Sequence, residues 1–220
     1  MRRQTATYAA FVLLLLALNL LVFIVPYLAS VGNASAPYLY AAFAPTCHQL
    51  TSRSLCLFAS NADGSYSIGD CLPQGADSYS KASEVIYPDK TGYKFPVCAR
   101  DTAIYLGMLI GALLLPFLWK IGSEDWPNKW LLVAAAVPIA IDGTTQLVGM
   151  RESSNFLRLL TGAIIGIVLP FYILPMLNAL ISFLAEKFRE EQAKQSKQPK
   201  KQKPSGKPKP SGKKKKGKAR

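Results

Sequence analysis

The chain has 220 residues, half of them hydrophobic, and a formal net charge of +13, a combination that no single environment explains. Lys194 to Arg220 carries 13 of the 26 basic residues and none of the 13 acidic ones, so the remainder balances at zero. This excludes reading the chain as a nucleic-acid binder from its overall charge, because the surplus sits in a Lys/Pro/Gly/Ser/Gln string with nothing apolar to bury.

The apolar residues gather into four blocks, each near the ~20 residues that cross a bilayer. The first, 9–28, follows a short N-terminal segment, 1–8, that carries Arg2 and Arg3. Its long apolar run from Phe11 to Ile24 and the interfacial Tyr27 favour a retained helix over a cleaved leader. A polar segment, 29–101, comes next. It holds all four cysteines and abundant Gly, Pro, Ser and Asp, and its only periodic stretch begins at Pro37. It is expected to form an extracytoplasmic cap, crosslinked through Cys56 with Cys71 and Cys47 with Cys98, although four cysteines allow three pairings. The second span, 102–119, a short loop, 120–129, and the third span, 130–149, follow. A connection, 150–156, leads to the fourth span, 157–184, and to a basic tail, 185–220, expected to be disordered from about 194.

Arg2, Arg3, Lys120, Lys129, Lys187 and Arg189 put the positive charge on one side. They predict a multi-pass protein of the cell membrane with both termini cytoplasmic. The expected fold is therefore all-α and integral to the membrane: four transmembrane helices, the cap and the tail. Gly107 with Gly111, and Gly162 with Gly166, are spaced for close helix packing. Pro116, Pro138, Pro170 and Pro175 predict kinks.

Asp142 is the residue that most demands a function, because a carboxylate inside an apolar span is costly without a partner or a proton. Helical spacing puts Gln146 and Gly149 on its face, and puts Arg151, Asn155, Arg158 and Gly162 on one face of the next segment. The plain structural account is an ion pair of Asp142 with Arg158 or Arg151. Upstream, Cys47-His48-Gln49 with Arg53, and Cys98-Ala-Arg100-Asp101 at the entry to the second span, map to the same membrane surface. Guanidinium forks suit phosphate and carboxylate groups. Arg53, Arg100, Asp101, Gln146, Arg151, Asn155 and Arg158 are therefore the candidate binding residues, with His48 and Asp142 as candidate acid/base groups. Cys47, His48, Cys98 and Asp142 offer four mixed metal ligands, but neighbouring residues seldom share one ion and a disulfide would consume the thiolates, so no metal or cofactor is assigned.

These pieces resemble a family of predicted membrane proteins catalogued as domain of unknown function 2085. The likeness rests on Cys47-His48-Gln49 with Arg53-Ser54, on Cys98-x-Arg100-Asp101 leading to Gly107, and on Asp142-Gly-x-x-Gln146-x-x-Gly149-x-Arg151-x-Ser-x-Asn155-x-x-Arg158-x-x-Thr161-Gly162. It implies a four-span membrane protein and brings no established activity. Ala59 to Pro96 is longer than the resemblance leads one to expect, and the lysine tail lies outside it. The expected function is an outward-facing polar pocket that binds or processes an anionic lipid head group, with oligomers allowed. The alternative is a biogenesis or assembly factor whose tail contacts the ribosome or anionic lipid. Thiol redox chemistry and transport through Asp142 carry less weight, and the residues alone do not decide between binding and catalysis.

Overall fold

The structure, a computed structural model, describes residues 2–73 and 80–197. The chain divides into two compact units, Met1–Ile181 and Ser182–Arg220. Helix α1 (Arg2–Ser30) is followed by a short α2 (Ala36–Phe43), a 3-10 turn (Thr51–Arg53) and four strands, β1 (Leu55–Ser60), β2 (Tyr66–Asp70), β3 (Glu84–Ile86) and β4 (Lys90–Lys94). Then come α3 (Ala99–Leu118), α4 (Lys129–Leu147), α5 (Asn155–Val168) and α6 (Pro170–Lys197).

Among the described residues four stretches are long and apolar enough to cross a membrane: Gln4–Ser30, Ala99–Leu118, Lys129–Leu147 and Asn155–Lys194. Large apolar side chains such as Leu13, Leu14, Leu113, Val133, Val137 and Ile141 lie exposed on α1, α3 and α4. A helix that shows Leu and Val outward suits hydrocarbon and not water. The fourth stretch is broken where Leu169 caps α5 and Pro170 opens α6. Pro116, Pro138 and Pro175 lie inside helices. Helix α6 continues to Lys197, past the point where the tail was expected to lose order, and 198–220, with the rest of the expected tail, falls outside the described residues.

The all-α expectation needs correcting in the cap, which contains a four-stranded antiparallel sheet in the order β2-β1-β4-β3. Strand β1 places Cys56 and Phe58 inward, and Cys71 joins them in a small core flanked by Val85 and Tyr87. Phe58 lies opposite Ser67 on β2 and Gly92 on β4. A Cβ on Gly92 would come within 2.6 Å of the Phe58 ring, so glycine there is what admits the aromatic side chain. These strands escaped the sequence reading because, of their inward positions Cys56, Phe58, Gly92 and Lys94, only Phe58 is a large apolar residue. Phe95 and Val97, just after β4, pack with Val22 of α1 and Phe43 of α2, which seats the sheet on the first helix.

The bundle is tightest between α3 and α5. Gly107 and Gly111 face Ala163, Gly166 and Ile167 of α5, while Gly162 and Gly166 face Arg100, Ala103 and Ile104 of α3. Two small-residue faces meeting let the backbones approach closely. The contact also sets Arg100, in the first turn of α3, against Gly162 of α5.

A charged site beneath the cap

The N-terminal ends of α3 and α5, the C-terminal end of α4 and the loop after α2 converge on one cavity of about 260 Å³. Its lining includes Cys47, His48, Arg53, Cys98, Arg100, Asp101, Gln146 and Arg158, together with Thr46, Gln49 and Leu50. Six of the residues singled out as binding or acid/base groups thus share a wall. Asp142, Arg151 and Asn155 are not part of that lining.

Asp142 is fully buried on α4 and holds two arginines. Arg100 Nη2 donates to one carboxylate oxygen and Arg151 Nη2 to the other at 3.2 Å. Of the two expected partners Arg151 is present and Arg158 is not; the second place goes to Arg100, because the glycine contact carries α3 against α5 and brings the first turn of α3 within reach of α4. Arg151 lies in the α4–α5 connection and not on α5, whose first turn begins at Asn155 after Ser154 Oγ accepts from Leu157 N at 3.3 Å.

Arg158 serves a different set. Its Nη1 donates to Asn155 Oδ1 at 2.8 Å, and with the Gln146 amide oxygen turned to the arginines, Arg158 Nη2 reaches that oxygen at 2.7 Å. Arg53 Nε and Nη2 meet the same oxygen at 3.2 Å each. Among the described residues neither Arg53 nor Arg158 makes an ion pair. Asn155 is buried and turned toward the cap, donating to Asp70 Oδ1 at 3.0 Å and to Ser54 O at 3.4 Å. It positions Arg158 and docks the sheet instead of facing the cavity.

In the same lining, Cys47 and Cys98 are free thiols, not the second bridge expected; the bridge that is present joins Cys56 and Cys71. The backbone N–H groups of Gln49 and Cys98 approach Cys47 Sγ at 3.4 and 3.3 Å, and Cys98 Sγ donates to Asp101 Oδ2 at 3.1 Å. The Cys98 side chain and these amides stabilise a thiolate at Cys47, whose pKa falls to about 7. The neighbouring Cys47, burial and the Asp101 charge hold Cys98 protonated. Gln49 keeps the loop in place: its backbone sits at φ +54°, and its amide donates to Tyr40 O at 2.8 Å and to Pro96 O at 2.9 Å. His48 is exposed at the mouth.

Sequence reasoning missed Lys94, a buried lysine on β4 whose Nζ donates to Gln49 O at 2.6 Å and to Lys81 O at 2.9 Å. Burial lowers its pKa to about 8. It also missed Asn19, buried on α1, whose Nδ2 ties that helix to Tyr105 O on α3 at 3.0 Å. An asparagine inside an apolar run was the signal available for it.

Four apolar helical stretches and a charged cluster at one end define a multi-pass membrane protein. The particular family follows from comparison: residues 90–172 match the family described as predicted membrane protein (DUF2085), and the chain belongs to it. The matched region contains Cys98, Arg100, Asp101, Asp142, Gln146, Arg151, Asn155 and Arg158, and it begins after Cys47, His48 and Arg53. An uncharacterized protein of Methanocaldococcus jannaschii (MJ1492) is 36% identical over 166 residues, which is 73% of this chain and 85% of that protein. An uncharacterized protein of Methanothermobacter thermautotrophicus is 40% identical over 87 residues, 36% of this chain and 74% of the relative. No solved structure matches the chain.

Proposed function

We propose that this protein binds an anionic head group, phosphate above all, at the membrane surface beneath its cap. The observation that carries the reading is the pair Arg53 and Arg158: two guanidiniums on a cavity wall, both meeting one amide oxygen and neither ion-paired among the described residues. A guanidinium has five donors, so this arrangement leaves forks available for an anion's oxygens. Arg100 is already committed to Asp142, and Asp142 to two arginines, which suits that carboxylate to holding the wall together better than to moving protons. Binding is accordingly favoured over processing. The cap is read as extracytoplasmic because Lys120 and Lys129 lie beyond the other end of α3, with Arg2 and Arg3 before α1, and because the Cys56–Cys71 bridge suits an oxidising compartment.

The test is equilibrium binding of the detergent-solubilised full chain to phosphatidylglycerol and, separately, to inorganic phosphate, with phosphatidylcholine as the zwitterionic control. Phosphatidylglycerol is expected to bind, and Arg53→Gln and Arg158→Gln each to weaken it about 10- to 100-fold, since a hydrogen bond to a charged group is worth about 1.5–3 kcal/mol. Binding of inorganic phosphate alone would move the ligand from lipid to a soluble anion. Equal affinity of parent and both variants for every probe would end the proposal.

A further inference from the structure

We propose that Cys47, Cys98 and Asp101 form a binding site for a divalent metal ion of the zinc class. One ligand atom from each, two sulfurs and a carboxylate oxygen, lies within 4.8 Å of the other two. Around tetrahedral zinc, with bonds of about 2.0–2.3 Å, ligand atoms stand about 3.3–3.8 Å apart, so small side-chain rotations close the gap. The residue types suit the ion: two soft thiolates with a hard carboxylate match zinc and not magnesium or calcium.

Three surrounding features point the same way. Asp101 shares its cavity with Arg53, Arg100 and Arg158 and yet forms no ion pair among the described residues; its carboxylate is turned to the Cys98 sulfur instead. A carboxylate beside two thiols gains little from either and repels their ionised forms, whereas a cation between them satisfies all three. Backbone N–H groups of Gln49 and Cys98 aim at Cys47 Sγ, the kind of outer support that orients thiolate ligands. Finally, the cap already contains the Cys56–Cys71 bridge, so a setting that oxidises that pair would also join two thiols this close unless a metal held them.

The ligands come from two elements. Cys47 belongs to the loop fixed by Gln49, while Cys98 caps α3 and Asp101 lies in its first turn. A metal would therefore tie the cap loop to the bundle. With three protein ligands, the fourth position opens to the cavity, the arrangement of sites that take water or a ligand oxygen in place of a fourth side chain. This inference does not depend on the head-group reading.

The experiment is elemental analysis of the full chain, free of any histidine tag, purified in detergent under nitrogen without added reductant or chelator. About one zinc per chain is expected, lost in Asp101→Asn and in Cys98→Ser but kept in Cys98→His, which can ligate and cannot form a disulfide. Arg158→Gln should keep its zinc, so failure of the anion site and failure of the metal site remain distinguishable. In the parent itself, zinc should protect Cys47 and Cys98 from maleimide, a readout that requires no variant to fold. A parent that contains no zinc and takes up none on titration, or in which Cys47 and Cys98 are recovered as a disulfide under these conditions, overturns the proposal.

Discussion

The two ends of the helix bundle are closed by different chemistry. Away from the cap, Gln4 Nε2 donates to Gly122 O at 3.1 Å, the Tyr172 hydroxyl to Asn128 O at 2.8 Å, and Asn178 Nδ2 to the carbonyls of Ile121 and Ser123 at 2.8 and 3.1 Å. Each is a neutral side chain on a backbone carbonyl. Beneath the cap the closing groups are Arg53, Arg100, Arg151, Arg158 and Asp142. Size alone would choose the wrong end as the site, since the hollow between Pro116 and Trp126 is about 750 Å³ against about 260 Å³ under the cap. A neutral donor matched to a loop carbonyl is a finished contact. Two guanidiniums meeting at one amide still have donors to offer, and that difference separates a staple from a site.

Removing Arg100 should produce the largest effect. Arg100→Met leaves Asp142 buried with only the half-exposed Arg151, and breaking a buried pair by deleting one partner costs about 3–5 kcal/mol. Thermal unfolding in detergent should show a large drop, recovered in good part by Arg100→Met with Asp142→Leu. Arg151→Met should cost only about 0–1 kcal/mol, as an exposed pair does. If Arg151→Met proved the more damaging, the assignment of Asp142's principal partner would be wrong.

A second comparison uses one methyl group in the α3–α5 contact and one at the far end. Gly166→Ala puts a Cβ 2.5 Å from the Ile104 carbonyl oxygen, which is helix backbone, and should cost about 1–3 kcal/mol by overpacking. Because the same contact positions Arg100, the variant should also weaken anion binding. Gly122→Ala meets only the end of the flexible Gln4 side chain and should unfold within a degree or two of the parent, about the scatter of a surface substitution. Equal destabilisation by the two would mean that the α3–α5 packing is no tighter than a loop contact.

The glycine spacings, the four apolar blocks and the polar set were all legible in the sequence, because each follows from a period or from the cost of a charge in an apolar run. Of the partners of Asp142, Arg151 was legible and Arg100 was not. Arg151 and Arg158 are near in sequence, while Arg100 is 42 positions away and reaches α4 only through the packing of α3 on α5. Asp101 was classed with the arginines as a binding residue, since spacing alone does not show that its carboxylate turns to sulfur. The sheet was missed for a similar reason: Gly92 and Lys94 occupy inward positions on β4 that a periodicity search expects to be apolar.

Lys94 provides the smallest signal and the finest test, because it is a charged group on the cap side closed by carbonyls alone, in the manner of the far end. Its Nζ has two neutral acceptors, and the titratable groups around it are Cys47, the repelling Lys81, and Tyr40 and Glu84, which line the same hollow. Burial lowers its pKa from the ordinary 10.5 to about 8, so between those values the unfolded chain binds the proton that the folded chain has released. The unfolded state then holds more protons, and stability rises with pH across this window, with the gain complete above 10.5 and lost as pH falls through 8. Lys94→Met removes the titrating group, so the parent's stability should climb relative to Lys94→Met from pH 8 to pH 10. A flat difference between the two would mean that the lysine keeps its full charge against the carbonyls and that the cap side tolerates buried cations without a counter-charge.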